Sequence, residues 1–69
     1  PAIDFLNINI ETGDYQITIT NALGQVVFNE NEYINETIQF PISDLENGVF
    51  FIKMAGQKGQ VTRPFVIQR

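Results

Sequence analysis

The stretch Asp44-Leu45-Glu46-Asn47-Gly48-Val49-Phe50-Phe51-Ile52-Lys53 constrains the fold most, because a polar segment there turns into the most apolar run of the chain. Asn-Gly takes positive backbone φ at little steric cost, so Asn47-Gly48 sets a sharp reversal just before the run. In extended backbone, alternate residues go to opposite faces. Phe50, Ile52 and Met54 then share one face, and Val49, Phe51 and Lys53 the other. Leu45 is the lone apolar residue of the polar segment and is expected to plug inward as the chain turns. The stretch predicts a central strand entered through a fixed corner.

The rest of the chain reads as strands joined by short polar connections, with no apolar spacing of helical period. Leu6, Ile8 and Ile10 alternate with Asn7, Asn9 and Glu11, and Thr12-Gly13-Asp14 then breaks the pattern as a turn. Tyr15, Ile17 and Ile19 alternate with Gln16, Thr18 and Thr20, as suits a half-buried strand rich in β-branched residues. Asn21-Ala22-Leu23-Gly24 reads as a turn and residues 25–28 as a short strand with Val26 and Phe28 inward. Asn29-Glu30-Asn31-Glu32 has no apolar anchor and reads as a mobile loop. Ile34, Ile38, Phe40 and Ile42 share one parity, and Pro41 ends that strand or holds it at a sheet edge. Gly56-Gln57-Lys58-Gly59 predicts a hairpin loop before a last strand over residues 60–68. There Val61, Phe65 and Ile67 share a face with Arg63, and Arg63-Pro64 marks a bulge or an edge position. Six short strands, or seven if residues 33–42 split, predict an all-β fold: a small antiparallel β-sandwich or barrel.

Composition narrows what such a domain can do. The 69 residues make one domain, with 43% hydrophobic content. Ordering them costs on the order of 100 kcal/mol, so nearly every apolar side chain is needed in the core. With no cysteine, no disulfide or thiolate metal site exists, and with no histidine the commonest general base and metal ligand are missing. A net charge of −4 disfavours nucleic acid or an anionic membrane as partner. No window approaches the ~18 consecutive apolar residues of a membrane-spanning helix. The chain opens on Pro1-Ala2, without a signal-peptide pattern, so we expect a piece of a longer protein whose export signal lies upstream.

No catalytic constellation emerges. Ser43-Asp44 sets a hydroxyl beside a carboxylate and reads as a turn-stabilising pair. Glu30, Glu32 and Glu36 are the densest acids, yet fall short of the six to eight oxygens calcium takes, and each glycine stands alone at a turn rather than in a phosphate loop. Asn35-Glu36-Thr37 fits the N-glycosylation pattern, a three-residue match common by chance. Lys53, Lys58, Arg63 and Arg69 form either a small positive patch or the solubilising charges of an edge strand. With Phe50 in the core, Val49 and Phe51 face outward, either covered by a loop or forming a contact surface. The expected chemistry is therefore none: no enzyme, no metal, no cofactor.

The order of these motifs resembles the type A C-terminal sorting domain of the Bacteroidetes type IX secretion system. Pro1-Ala2 and Leu6-Asn7-Ile8 match its opening, and Tyr15-Gln16-Ile17-Thr18-Ile19, Gly24 and Gln25-Val26-Val27 its strand, glycine turn and valine strand. Leu45-Glu46-Asn47-Gly48-Val49-Phe50-Phe51-Ile52-Lys53 matches the family's leucine, glycine and aromatic strand, and Thr62-Arg63-Pro64-Phe65-Val66-Ile67-Gln68-Arg69 its closing basic-apolar strand. The match spans essentially the whole chain. It departs at Phe50, where tyrosine is usual, and at Pro64, where lysine is favoured.

The resemblance implies an immunoglobulin-like sandwich that directs a larger cargo across the outer membrane. It also implies recognition by the outer-membrane translocon and its shuttle protein, then removal by a sortase-type peptidase at a cut upstream of Pro1. The cargo would be released or held at the cell surface. Recognition is expected at the corner, Gly48, Phe50 and Phe51, and along Arg63, Phe65, Val66, Ile67, Gln68 and Arg69, by docking or by strand addition to an exposed edge. Edge strands also leave weak self-association open. The rival reading is an accessory module for carbohydrate or protein binding, with Tyr15, Tyr33 and Phe51 as the only available aromatic platforms.

Overall fold

The run entered through Asn47-Gly48 is an inner strand of the larger of two sheets in the computed structural model, which describes residues 5–68 and side chains from Leu6 onward. The strands are β1 (Phe5–Asn9), β2 (Gly13–Asn21), β3 (Val26–Ile34), β4 (Thr37–Pro41), β5 (Gly48–Gly56) and β6 (Gly59–Ile67). β1 pairs with β4, and the other four lie in the order β3-β2-β5-β6, every pairing antiparallel. This is the expected small immunoglobulin-like β-sandwich.

The alternation along β5 is as read: Phe50, Ile52 and Met54 are buried, while Val49, Phe51 and Lys53 are exposed. Ile17 and Ile19 of β2, Ile34, Phe40, Ile42 and Ile67 complete the core, and Leu45 packs against it from the corner. Phe28 meets Phe40 edge to face at 5.7 Å, which ties β3 to β4 across the sandwich. No polar or charged side chain is buried among the described residues.

Three expectations need correction. Asn29-Glu30-Asn31-Glu32 is not a loop but the middle of β3, paired residue by residue with Thr18, Ile17, Gln16 and Tyr15. A strand at a sheet edge does not need an apolar inner row, because its side chains can bend to water. The split within residues 33–42 does occur, at Asn35-Glu36, but its first half continues β3, so the strands of the described residues number six. Second, Val26 is exposed rather than inward. The register shifts between Ile19 and Thr20, which face Phe28 and Val26, so Val27 is the extra residue of a bulge. One inserted residue reverses the parity beyond it. Third, no bulge occurs at Arg63-Pro64: β6 pairs with β5 in unbroken register from Gly48↔Ile67 to Gly56↔Gly59. The alternative, an edge position, is what the chain adopts.

A hydroxyl strut stands at the opposite end of the sandwich from the Asn47-Gly48 corner. The Tyr15 hydroxyl donates to the Glu11 carbonyl at 2.6 Å, four residues upstream, the arrangement of the tyrosine corner in immunoglobulin-like sandwiches. Its ring lies over Gly56, where an added Cβ would come within 2.7 Å of a ring carbon. Tyr15→Phe is expected to lower stability by about 1 kcal/mol, the typical net value of one such bond. Urea unfolding of both proteins measures this, and an unchanged midpoint would show the bond to be idle.

Candidate functional site

The outward face of the four-stranded sheet is divided in two by its own registers. Toward the Gly13 end, Gln16 and Thr18 of β2 lie beside Asn29 and Asn31 of β3 and beside Lys53, Gln60 and Thr62 across β5 and β6. The Asn29 amide oxygen accepts from Gln16 Nε2 at 3.3 Å and from Thr18 Oγ1 at 3.4 Å, which knits this half together. Toward the corner the same face turns apolar. Val26, Thr20, Phe51 and Pro64 form one row across the four strands, and Val49 and Val66 stand opposite each other in the next. Val26 is 58% exposed, Val66 48%, Val49 43% and Phe51 39%, so no loop covers them. Exposed apolar residues scattered singly need no explanation, but contiguous ones mark interaction surfaces.

Leu23 extends this patch from the β2–β3 turn, where it is 85% exposed. The turn that carries it is held by Asn21. Its side-chain oxygen accepts from the Leu23 and Gln25 N–H groups at 2.9 and 3.0 Å, and its amide donates to the Gln25 side chain at 2.8 Å. Gly24, at φ 86°, completes the reversal. A large apolar side chain thus stands in water on a fixed turn. Across from it, Gly48 sits at φ 152°, and an added Cβ would find only the Phe50 ring at 3.8 Å. Backbone conformation, not space, selects glycine there.

The structure separates the residues anticipated for recognition into two groups. Phe50 and Ile67 are core residues, and Phe65 is half-buried with its ring stacked on Phe50 at 5.6 Å and 20°. These hold the corner and do not present themselves to a partner of the folded chain. Phe51 and Val66 lie on the outward face, Gly48 shapes the corner, and Gln68 is exposed just past β6. Arg63 shares the inward parity, opposite Ile52, yet is exposed because β6 is an edge. Arg69 lies outside the described residues. Leu23, Val26 and Val49 belong with Phe51 and Val66; Val49 follows from the alternation along β5, while the signal for the other two was the Leu23 in a turn and the Val26-Val27 pair, which no two-residue period explains.

The other candidate features disperse. Lys53 points outward and Arg63 has the opposite parity, while Lys58 Nζ pairs with Glu11 at 3.0 Å across the far end, so these bases form no common patch. Tyr33 and Phe51 face outward but stand opposite Asp14 and Thr20 of β2, roughly 20 Å apart at strand rise, and Tyr15 is half-buried. No single aromatic platform results. Among the described residues, no three acidic side chains come together as a metal site.

Comparison with known proteins agrees with the order of motifs. The family model described as the secretion system C-terminal sorting domain matches residues 1–68. No curated protein and no solved structure matches the chain. That family consists of sorting signals rather than enzymes, and its members direct the export of a cargo across the outer membrane by engaging the type IX machinery. The chain belongs to the C-terminal sorting domains of the type IX secretion system.

Proposed function

We propose that this chain is a non-catalytic, folded signal at the C-terminal end of a larger cargo, read through the apolar half of its outward sheet face. The observation that carries this reading is the contiguity of Val26, Phe51, Val49 and Val66 on a face that no other element of the described residues covers. The translocon and its shuttle protein are the partners expected to meet it. A sortase-type peptidase then cuts upstream of Pro1, and the cargo is secreted or held at the cell surface.

Of the two recognition modes, docking on the face is favoured over strand addition to β6. Pro64 has no N–H, so its pair with Phe51 is of the non-hydrogen-bonded kind. Alternation then turns the backbone groups of Thr62, Pro64 and Val66 toward the open edge, where Pro64 leaves a missing donor in the middle. Arg63 on β6 and Glu30 on β3 place charge at inward parity on both edges, a device that discourages edge pairing and argues for a monomer.

The test is a reporter carrying this chain at its C-terminus in a type IX-competent host. Export to the medium or surface is expected, with the chain removed. A reporter retained in the periplasm, while an authentic sorting domain exports it, overturns the proposal.

A further inference from the structure

At the corner the apolar face runs into a groove of about 370 Å³ between the β2–β3 turn and residues 44–48. Leu23, Val27, Leu45 and Val49 are among its apolar lining, and Asp44 and Glu46 give its charge; among the described residues no cationic side chain takes part. Both acids are exposed, and among the described residues neither has an ion-pair partner, since the salt bridge present joins Lys58 to Glu11 at the far end. Both walls are set before any partner arrives, one by the Asn21 hydrogen bonds and the other by the Gly48 backbone. A preformed recess avoids the ordering cost that a mobile loop would add on binding.

We infer that this corner accepts a protein segment in which an aromatic or aliphatic anchor is flanked by lysine or arginine. The apolar recess desolvates the anchor, and Asp44 and Glu46 meet the flanking cations at the rim, where charge sets orientation and selectivity more than affinity. This rests on the reading that the outward face is what the export machinery meets, and adds the charge the partner must carry.

The test titrates the ¹⁵N-labelled 69-residue chain with two end-blocked peptides, Gly-Lys-Phe-Lys-Gly and Gly-Glu-Phe-Glu-Gly, and follows backbone amides by NMR. The cationic peptide is expected to shift Leu23, Val27, Gly48 and Val49 and to bind roughly tenfold tighter than the anionic one, as two exposed charge pairs allow. Raising salt from about 0.02 to 0.5 M should erase the difference. So should the double substitution Asp44→Asn with Glu46→Gln, which leaves the apolar lining intact. Equal binding of the two peptides, shifts elsewhere, or no shifts overturn the inference. In the reporter strain, Asp44→Lys with Glu46→Lys should reduce export. Normal export of that variant, with export lost on Phe51→Asp, removes the charge inference and leaves docking on the face standing. Export that survives both removes the two together.

Discussion

Phe50→Ala is expected to leave most of the isolated domain unfolded at 25 °C. The side chain is only 6% exposed and stacks on Phe65, so its loss removes a packed pair and opens a cavity at the corner. Truncating a buried phenylalanine costs about 3–5 kcal/mol. A core in a chain of this length supplies roughly the same amount in total, so nothing remains in reserve. Circular dichroism during urea unfolding gives the answer directly: the variant should show little or no cooperative transition. A midpoint near that of the parent would mean that the corner contributes far less than its burial implies. Phe51→Ala, one residue along and on the other face, serves as the contrast, with an expected cost of about 1 kcal/mol or less.

The second large effect is on export. Phe51→Asp combined with Val66→Asp puts two charges on the apolar face while leaving every core side chain in place. Folding should survive, since both positions are exposed on the outer face. Export of the fused reporter should fall by roughly tenfold or more, because a buried apolar anchor of an interface is worth about 2 kcal/mol or more. Gln60→Asp is the matched control: it also faces outward, but in the polar half of the sheet, and should export normally. If the double variant exports like the parent, recognition lies elsewhere. If Gln60→Asp fails equally, then negative charge anywhere on this face is what the machinery rejects.

What could be read from the amino acids alone depended on where a residue sits in its sheet. β2 and β5 are flanked on both sides, so one face of each must be apolar throughout, and Tyr15 to Thr20 and Val49 to Met54 declare that period plainly. β3 lies at an edge and obeys no such rule. Its Asn29-Glu30-Asn31-Glu32 segment carries no inner apolar row, so the sequence looks like a loop although every residue is paired. The Val27 bulge is hidden for a different reason: one inserted residue changes the parity of Val26 without changing composition. The apolar outer patch proposed for recognition was half legible. Phe51 and Val49 followed from the alternation along β5, whereas Leu23 and Val26 joined them only once the β2–β3 turn and its bulge placed them at the same end. Phe50 offers no hydroxyl at its corner, yet a hydroxyl strut exists at the other end through Tyr15, a link between residues four apart that alternation does not announce.

The proline in the last strand has a consequence beyond recognition. Fibrils grow when an uncharged, proline-free segment of six or seven residues stacks in register with copies of itself. β6 has the composition for this hazard, but Arg63-Pro64 cuts it into pieces of which the longer apolar one, Phe65-Val66-Ile67, has three residues. Neither fragment is long enough to seed a steric zipper. The strand that forms this edge of the sheet, even when transiently detached, is therefore not itself a seed for stacking many copies held side by side in a confined compartment.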